Sequence, residues 1–268
     1  MKKTIILLLW SLASFGQEML KPQELVYKKF DTTQLKLTIY QPQKIDKALP
    51  AIIFFFGGGW VSGSIEQFKT QAEYFAKRGI VAILVDYRVT KRDQTTPFES
   101  LKDAKSAMRF VRKNASSLGI DSNRIIASGG SAGGHLAAAC YTNETINEAI
   151  DDLSISAKPN ALVLFNPVID NGPDGYGYER IGEKYTEFSP MHNVKKGFPP
   201  TIFFLGTADK LIPLETGQQF KAKIEAVGSR CEFHLYENQP HGFFNKSPFK
   251  EETLQKADNF LVSLGYIQ

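Results

Sequence analysis

Ser131 lies in the run Gly129-Gly130-Ser131-Ala132-Gly133, between an apolar stretch that begins at Ile125 and an alanine-rich stretch that reaches Cys140. The pattern G-x-S-x-G at a strand-to-helix junction marks a turn so tight that only small neighbours fit, and it lifts the serine hydroxyl clear of the sheet. A phosphate-binding loop is the competing explanation. The Gly-Lys-Ser/Thr of a Walker loop is missing, and the glycine spacing differs from a dinucleotide fingerprint. A serine hydroxyl attacks a carbonyl only with an adjacent base, and the base needs an acid to orient it. In turns of this kind the partners follow in the order serine, carboxylate, histidine. His241, in "NQPHGFF" directly after the last strand, is the best placed of the four histidines. His135 is one turn into the helix behind the serine, His234 is inside a strand, and His192 comes early in the order. Asp209, in "LGTADKLIP", lies between Ser131 and His241 and follows a strand; Asp170, after "LFNPVI", is the alternative acid.

Acyl transfer also needs N–H donors aimed at the developing oxyanion. The run Gly57-Gly58-Gly59, directly after "AIIFFF", lets backbone amides approach a substrate unobstructed. Gly58, Gly59 and the amide of Ala132 at the start of the helix are the expected donors. Trp60 either walls the pocket or is a buried structural tryptophan. Tyr176 and Tyr178 sit in "NGPDGYGYERIGEKY", a glycine-broken stretch that a parallel sheet would deliver to the serine's edge, and they are candidate substrate contacts or plain loop residues.

These residues need a frame to hold them. "LVYKKF" and "LKLTIY" read as two strands of an antiparallel start, whereas "AIIFFF" and "VAILVDY" are continuous apolar runs, the mark of strands covered on both faces. Helical spacing of Phe68, Ala72, Phe75 and Ala76, closed by Gly79, separates them. A second helix is expected over Phe98–Leu118. Beyond the serine turn come strand "ALVLFNP", an irregular passage over 170–197, strand "TIFFLG", a helix around Leu214–Val227, strand "CEFHLYE" and a helix near Thr253–Leu264. Alternating strands and helices specify an α/β fold with a mostly parallel central sheet, helices on both faces and a short irregular cap.

With 268 residues and 43% hydrophobic content the chain can fill one large core, and no repeat or polar linker divides it. The formal charge of +4 includes Lys2 and Lys3 and is too dispersed for a nucleic-acid surface. Residues 1–16 have the form of a secretory signal peptide: two lysines, an apolar run from Ile5, then Ser14 and Gly16 before a cut at Gln17. The apolar run falls short of the roughly 20 residues of a membrane span. The expectation is therefore export to the periplasm or medium, a single domain over 17–268, and no membrane attachment after cleavage. Cys140 and Cys231 are expected to be buried small hydrophobes rather than a bridge.

"FFGGGW", "DYR" at Asp86–Arg88, "GGSAGGH", "GTADKLIP" and "HGFF" together resemble α/β-hydrolases of the hormone-sensitive-lipase and acetyl-esterase type, in particular secreted bacterial acetyl xylan and feruloyl esterases. The matching pieces run from Ala51 to Phe244. The resemblance implies Ser131, Asp209 and His241 as a triad, Gly58, Gly59 and Ala132 as oxyanion donors, and no metal or cofactor. Phe56 departs from the pattern, since a histidine usually precedes the first glycine run. The donors are backbone groups, so the oxyanion site is expected to survive with different support, and Phe56→His to be tolerated. Asp86, Tyr87 and Arg88 are expected to be scaffold, with Asp103 meeting Arg88.

Together these readings imply a serine carboxylesterase that removes short acyl groups, acetyl foremost, from a small-molecule or oligosaccharide ester. A peptidase of prolyl-oligopeptidase type and a non-catalytic binding protein of the same fold are the alternatives. The first usually carries a large gating domain, for which this chain has no room; the second would normally have lost part of the triad.

Overall fold

The structure is a computed structural model and describes residues 19–30 and 33–268. The expected signal peptide, residues 1–16, lies outside the described residues. Eight strands form one sheet: β1 (Gln23–Phe30), β2 (Thr33–Tyr40), β3 (Leu49–Phe55), β4 (Val81–Val85), β5 (Ile120–Gly130), β6 (Ala161–Phe165), β7 (Thr201–Gly206) and β8 (Cys231–Tyr236). Their order across the sheet is β1-β2-β4-β3-β5-β6-β7-β8. β1 pairs antiparallel with β2, and β2 with β4, whereas every pair from β4 to β8 is parallel.

The helices are α1 (Lys69–Lys77), α2 (Thr90–Asp93), α3 (Pro97–Lys113), α4 (Ala132–Thr142), α5 (Tyr178–Ile181), α6 (Tyr185–Phe188), α7 (Leu214–Ala226) and α8 (Phe249–Ser263). Helix α3 opens on a capping box, with Thr96 accepting from the backbone and Glu99 returning to the Thr96 amide, and Pro97 in its first turn. It stops at Lys113, short of the expected Leu118, because Asn114 folds its side chain back onto the Phe110 carbonyl at 2.8 Å and the chain turns towards Gly119.

The parallel strands carry the core. β4, β6 and β7 are buried along their whole length, as two-sided burial requires. One face packs Leu101, Met108 and Leu136 against the sheet; the other packs Phe54, Phe75, Phe165 and Phe260. At the antiparallel end a buried ion network stands beside the apolar packing of Leu35, Leu37 and Ile39. Arg88 grips Asp103 with two side-chain bonds of 2.7 and 2.8 Å, and Lys28 Nζ lies 2.6 Å from both Asp103 and Glu148. Arg88 thus meets Asp103 as expected, whereas Asp86 pairs with Arg92 at 2.8 Å. Cys140 is buried, Cys231 half-buried, and both are free.

The passage 170–197 is the irregular cap, and its only regular pieces are α5, α6 and single turns of 3-10 helix. Because β3, β5, β6 and β7 run parallel, the loops after them all emerge at one edge of the sheet, where such folds bind ligands.

Candidate active site

Ser131 occupies the turn between β5 and α4 with φ 53° and ψ −119°, a backbone conformation that non-glycine residues rarely adopt. Its neighbours explain how it is held there. A Cβ on Gly129 would stand 2.4 Å from the Gly133 carbonyl carbon, and one on Gly133 would stand 2.0 Å from the Phe55 oxygen and 2.4 Å from the Phe56 oxygen. No side chain fits at either place, so the G-x-S-x-G spacing is a packing requirement between the serine turn and the end of β3. The Ser131 amide donates to Phe165 O at 2.9 Å, which ties the turn to β6 as well.

His241, on the loop after β8, receives the Ser131 hydroxyl: Nε2 lies 2.8 Å from Oγ. On the other side of the ring, Nδ1 donates to Asp209 Oδ2 at 2.7 Å. Asp209 follows β7, and its Oδ1 accepts the amides of Leu211 at 2.8 Å and Ile212 at 3.0 Å. These bonds hold the buried carboxylate in one orientation, and its second oxygen fixes the imidazole with the lone pair of Nε2 facing the serine. Asp170 lies elsewhere: it accepts the Gly172 amide at 2.9 Å and stands 3.8 Å from His192. His234 stacks on Phe204 in the sheet. His135 is fully buried, and its Nε2 donates to Phe188 O at 3.0 Å.

The glycine run after β3 curves over the serine. The Phe56 carbonyl accepts from Tyr87 Oη at 2.6 Å, Gly58 O accepts from Val61 N and Ser62 N at 3.0 and 3.2 Å, and Trp60 O accepts from Thr90 N at 3.0 Å. Arg180 on α5 donates to Gly59 O and so joins the cap to the run. Gly57 N is taken by Gln67 Oε1 at 2.6 Å. By contrast, the amides of Gly58, Gly59 and Ala132 have no protein acceptor among the described residues. These three N–H groups, one of them at the N-terminus of α4 where the helix dipole is positive, are unspent donors, and Gly58 and Gly59 share the cleft with Ser131.

Phe56 stacks on Tyr87 with ring centroids 4.0 Å apart and is almost completely buried. An apolar ring braces the run from below, while Gln67 holds it from the side; Gln67 was not foreseen, since nothing in the local sequence marks it. Asn166, at the end of β6, was likewise missed. Its Oδ1 accepts the Gly242 amide at 2.9 Å beside His241.

The cleft encloses about 230 Å³ and is lined by Gly57, Gly58, Gly59, Ser131, Tyr176 and His241, with Gln67, Asn166, Leu211 and Asn245 around them. Tyr176 thus reaches the cleft. Trp60 does not: it is fully buried behind Tyr176, between His135 and Phe188, so it supports the cap from inside instead of walling the pocket. Tyr178 is also absent from the lining. The glycine before it turns its ring away, and its hydroxyl donates to Glu183 at 2.6 Å.

A slightly larger hollow of about 300 Å³ surrounds Lys105 and Cys140 on another part of the surface. Its chemistry is spent internally. The Lys105 ammonium donates to Asn143 O, Asn143 Oδ1 and Ile146 O, and burial pushes the Cys140 thiol up to about 12. Among the described residues no cluster of three or more side chains could hold a metal ion, and no helix is long and apolar enough to cross a membrane.

Known proteins resemble this chain in sequence and fold. The family model BD-FAE matches residues 37–173, and that of the dienelactone hydrolase family matches 175–263. Esterase 2 of Thermogutta terrifontis superimposes in its apo form with a TM-score of 0.88 at 44% identity, covering 92% of this chain and 96% of its own. It has also been solved with propionate and with butyrate bound, and phosphorylated by paraoxon. The isoprenylcysteine alpha-carbonyl methylesterase of Arabidopsis thaliana is 28% identical over 235 residues, 79% of this chain and 54% of its own. An acetylxylan esterase of Xylanibacter ruminicola is 27% identical over 233 residues, 80% of this chain and 45% of its own. The chain spans about half the length of these curated relatives. Because the BD-FAE match runs through both the glycine run and the serine turn, over just over half of the 268 residues, this chain belongs to the BD-FAE family and its site is that of a serine hydrolase acting on carboxylic esters.

Proposed function

We propose that this protein is an exported carboxylesterase that removes short acyl groups, acetyl foremost, from a carbohydrate through an acyl-enzyme. The observation that carries this reading is the chain Ser131–His241–Asp209 beneath three unpartnered amides in a cleft of about 230 Å³. Ser131 Oγ attacks the ester carbonyl carbon as its proton passes to His241 Nε2. The carbonyl oxygen becomes an oxyanion held by the amides of Gly58, Gly59 and Ala132. Collapse expels the alcohol, which takes the proton from Nε2, and water then repeats the sequence on the acyl-serine. Asp209 keeps the imidazole oriented and stabilises its charged form.

The size of the cleft supports a short acyl group, since it lies below the roughly 300–1,000 Å³ typical of pockets for drug-sized ligands. Tyr176 offers a flat face and a hydroxyl to a sugar ring at the rim. The similarity to an acetylxylan esterase supports a carbohydrate as the alcohol. Export rests on the form of residues 1–16 and would show as secreted protein beginning near Gln17.

The test is a panel of p-nitrophenyl esters, acetylated and feruloylated saccharides, bulky-acyl methyl esters and aminoacyl anilides. Acetyl to butyryl esters should be turned over much faster than octanoyl, with acetylated saccharides ahead of feruloylated ones. Ser131→Ala should lose at least about 10⁴-fold in kcat and all labelling by a fluorophosphonate. A preference for octanoyl esters, methyl esters or anilides would overturn the substrate assignment; a Ser131→Ala enzyme that keeps a tenth of its activity would overturn the site.

A further inference from the structure

The stretch "LFNP" ends β6 with an asparagine whose backbone should not be there without cause. Asn166 has φ 33°, in the left-handed region that most side chains avoid and asparagine tolerates. It is fully buried, followed by Pro167, and its amide donates to Phe204 O on β7 at 2.8 Å. The structure holds it in this conformation from both sides, and the result is that its carboxamide points at the imidazole of His241.

The orientation of that carboxamide is settled by its neighbours. Oδ1 must face the Gly242 N–H, which it accepts at 2.9 Å, so Nδ2 faces His241 Nε2 at 3.4 Å. That contact is long, and Nε2 already receives the Ser131 hydroxyl at 2.8 Å. Among the described residues the Nδ2 group has no other acceptor. Gly242 needs only an acceptor from this residue, and the donor beside Nε2, at the lining of the cleft, makes no contact better than that long one.

During ester cleavage one further oxygen must come within hydrogen-bonding distance of Nε2. In deacylation it belongs to the water that attacks the acyl-serine. We propose that Asn166 is a further catalytic residue: its Nδ2–H donates to that water oxygen and holds it between Nε2 and the acyl carbon. The assignment rests on the esterase reading. The water oxygen forms its bond to the acyl carbon and gives one proton to Nε2. The tetrahedral intermediate then breaks its bond to Ser131 Oγ, which takes the proton back from Nε2, and the carboxylic acid departs. A donor aimed at the water leaves a lone pair directed at the carbon and a proton directed at the base, which is the orientation the step requires.

Two variants separate this role from support of His241. Asn166→Asp keeps an acceptor for Gly242 but presents a second acceptor in place of the donor. Asn166→Gly accepts the positive φ without strain and removes the side chain. With p-nitrophenyl acetate, release of p-nitrophenolate in a single turnover with enzyme in excess reports acylation, because this leaving group needs no proton. Decay of the acetyl-enzyme, followed by mass spectrometry after rapid removal of substrate, reports deacylation. Both variants should slow acetyl-enzyme decay at least about tenfold more than they slow acylation. An equal loss in the two steps would mean that Asn166 only supports His241, and unchanged decay would mean that it does nothing to the water; either result overturns the proposal. A wild-type protein that never forms an acetyl-enzyme would instead overturn the esterase reading beneath it.

Discussion

His135 packs against Trp60 and Phe188 under the cap and cannot take up a proton without losing its place. The ring is fully buried, 4.2 Å from Phe188 and 5.1 Å from Trp60 between centroids, and Nδ1 has no partner among the described residues. Burial pushes its pKa from 6.5 down to about 3, against a weaker opposing pull from the Phe188 carbonyl. In the unfolded chain the same imidazole titrates at its ordinary value. As pH falls below about 6.5 the unfolded state therefore binds a proton that the folded state refuses, and stability is lost progressively towards pH 3. One proton of difference amounts to about 1.4 kcal/mol per pH unit, so between pH 7.5 and pH 5 this residue should cost about 2 kcal/mol. His135→Gln keeps an amide donor for Phe188 O and removes the titration. Urea unfolding of both proteins at the two pH values, followed by circular dichroism, isolates the effect because every other titrating group is common to both. The wild type should lose about 2 kcal/mol more than the variant on acidification. Parallel losses would show that His135 is protonated in the folded protein and that its burial has been misjudged.

Two other perturbations read the oxyanion run and the cap. Gly58→Val should lower kcat by about 10²-fold or more, since Gly58 has φ 125° and a Cβ there would stand 1.9 Å from Ser62 O, displacing a donor amide. Phe56→His, which sequence reasoning would tolerate, should instead destabilise the fold by about 1–3 kcal/mol, because the stack on Tyr87 offers a buried imidazole no visible partner; thermal unfolding and kcat of the two variants measure these separate effects. Tyr176→Ala should raise KM for an acetylated oligosaccharide more than for p-nitrophenyl acetate, whereas Tyr178→Ala, whose hydroxyl is engaged with Glu183, should leave both nearly unchanged.

Much of the site was legible because its members are tied to local backbone demands. The serine turn needs its glycines, and the strand ends that carry Asp209 and His241 follow from chain order in a parallel sheet. What escaped the sequence was any role set by two distant elements meeting. Gln67 begins as an ordinary polar residue before α1 and acquires its purpose only because the Gly57 amide lies 2.6 Å away. Asn166 reads as the end of strand "ALVLFNP" until Gly242 and His241 arrive from the other end of the chain. Aromatic residues near the site were ambiguous for a related reason. Trp60 and Tyr178 could each wall a pocket or pack elsewhere, and burial of the first and the Glu183 bond of the second decide the matter only in three dimensions.

The contact of Gly133 with the Phe55 and Phe56 carbonyls has a mechanical consequence. Ser131 and the amides of Gly58 and Gly59 assigned to the oxyanion come from segments more than 70 residues apart, yet the first turn of α4 rests directly on the backbone that leads into the glycine run. No side chain lies between them to flex, so the two segments move as one body. Because the joint is backbone against backbone, the serine and the glycine amides stand in place before substrate arrives, and its binding energy need not be spent assembling them. Any residue larger than glycine at the joint would push the serine turn and the glycine run apart together, so one substitution there would disable both halves of the site at once.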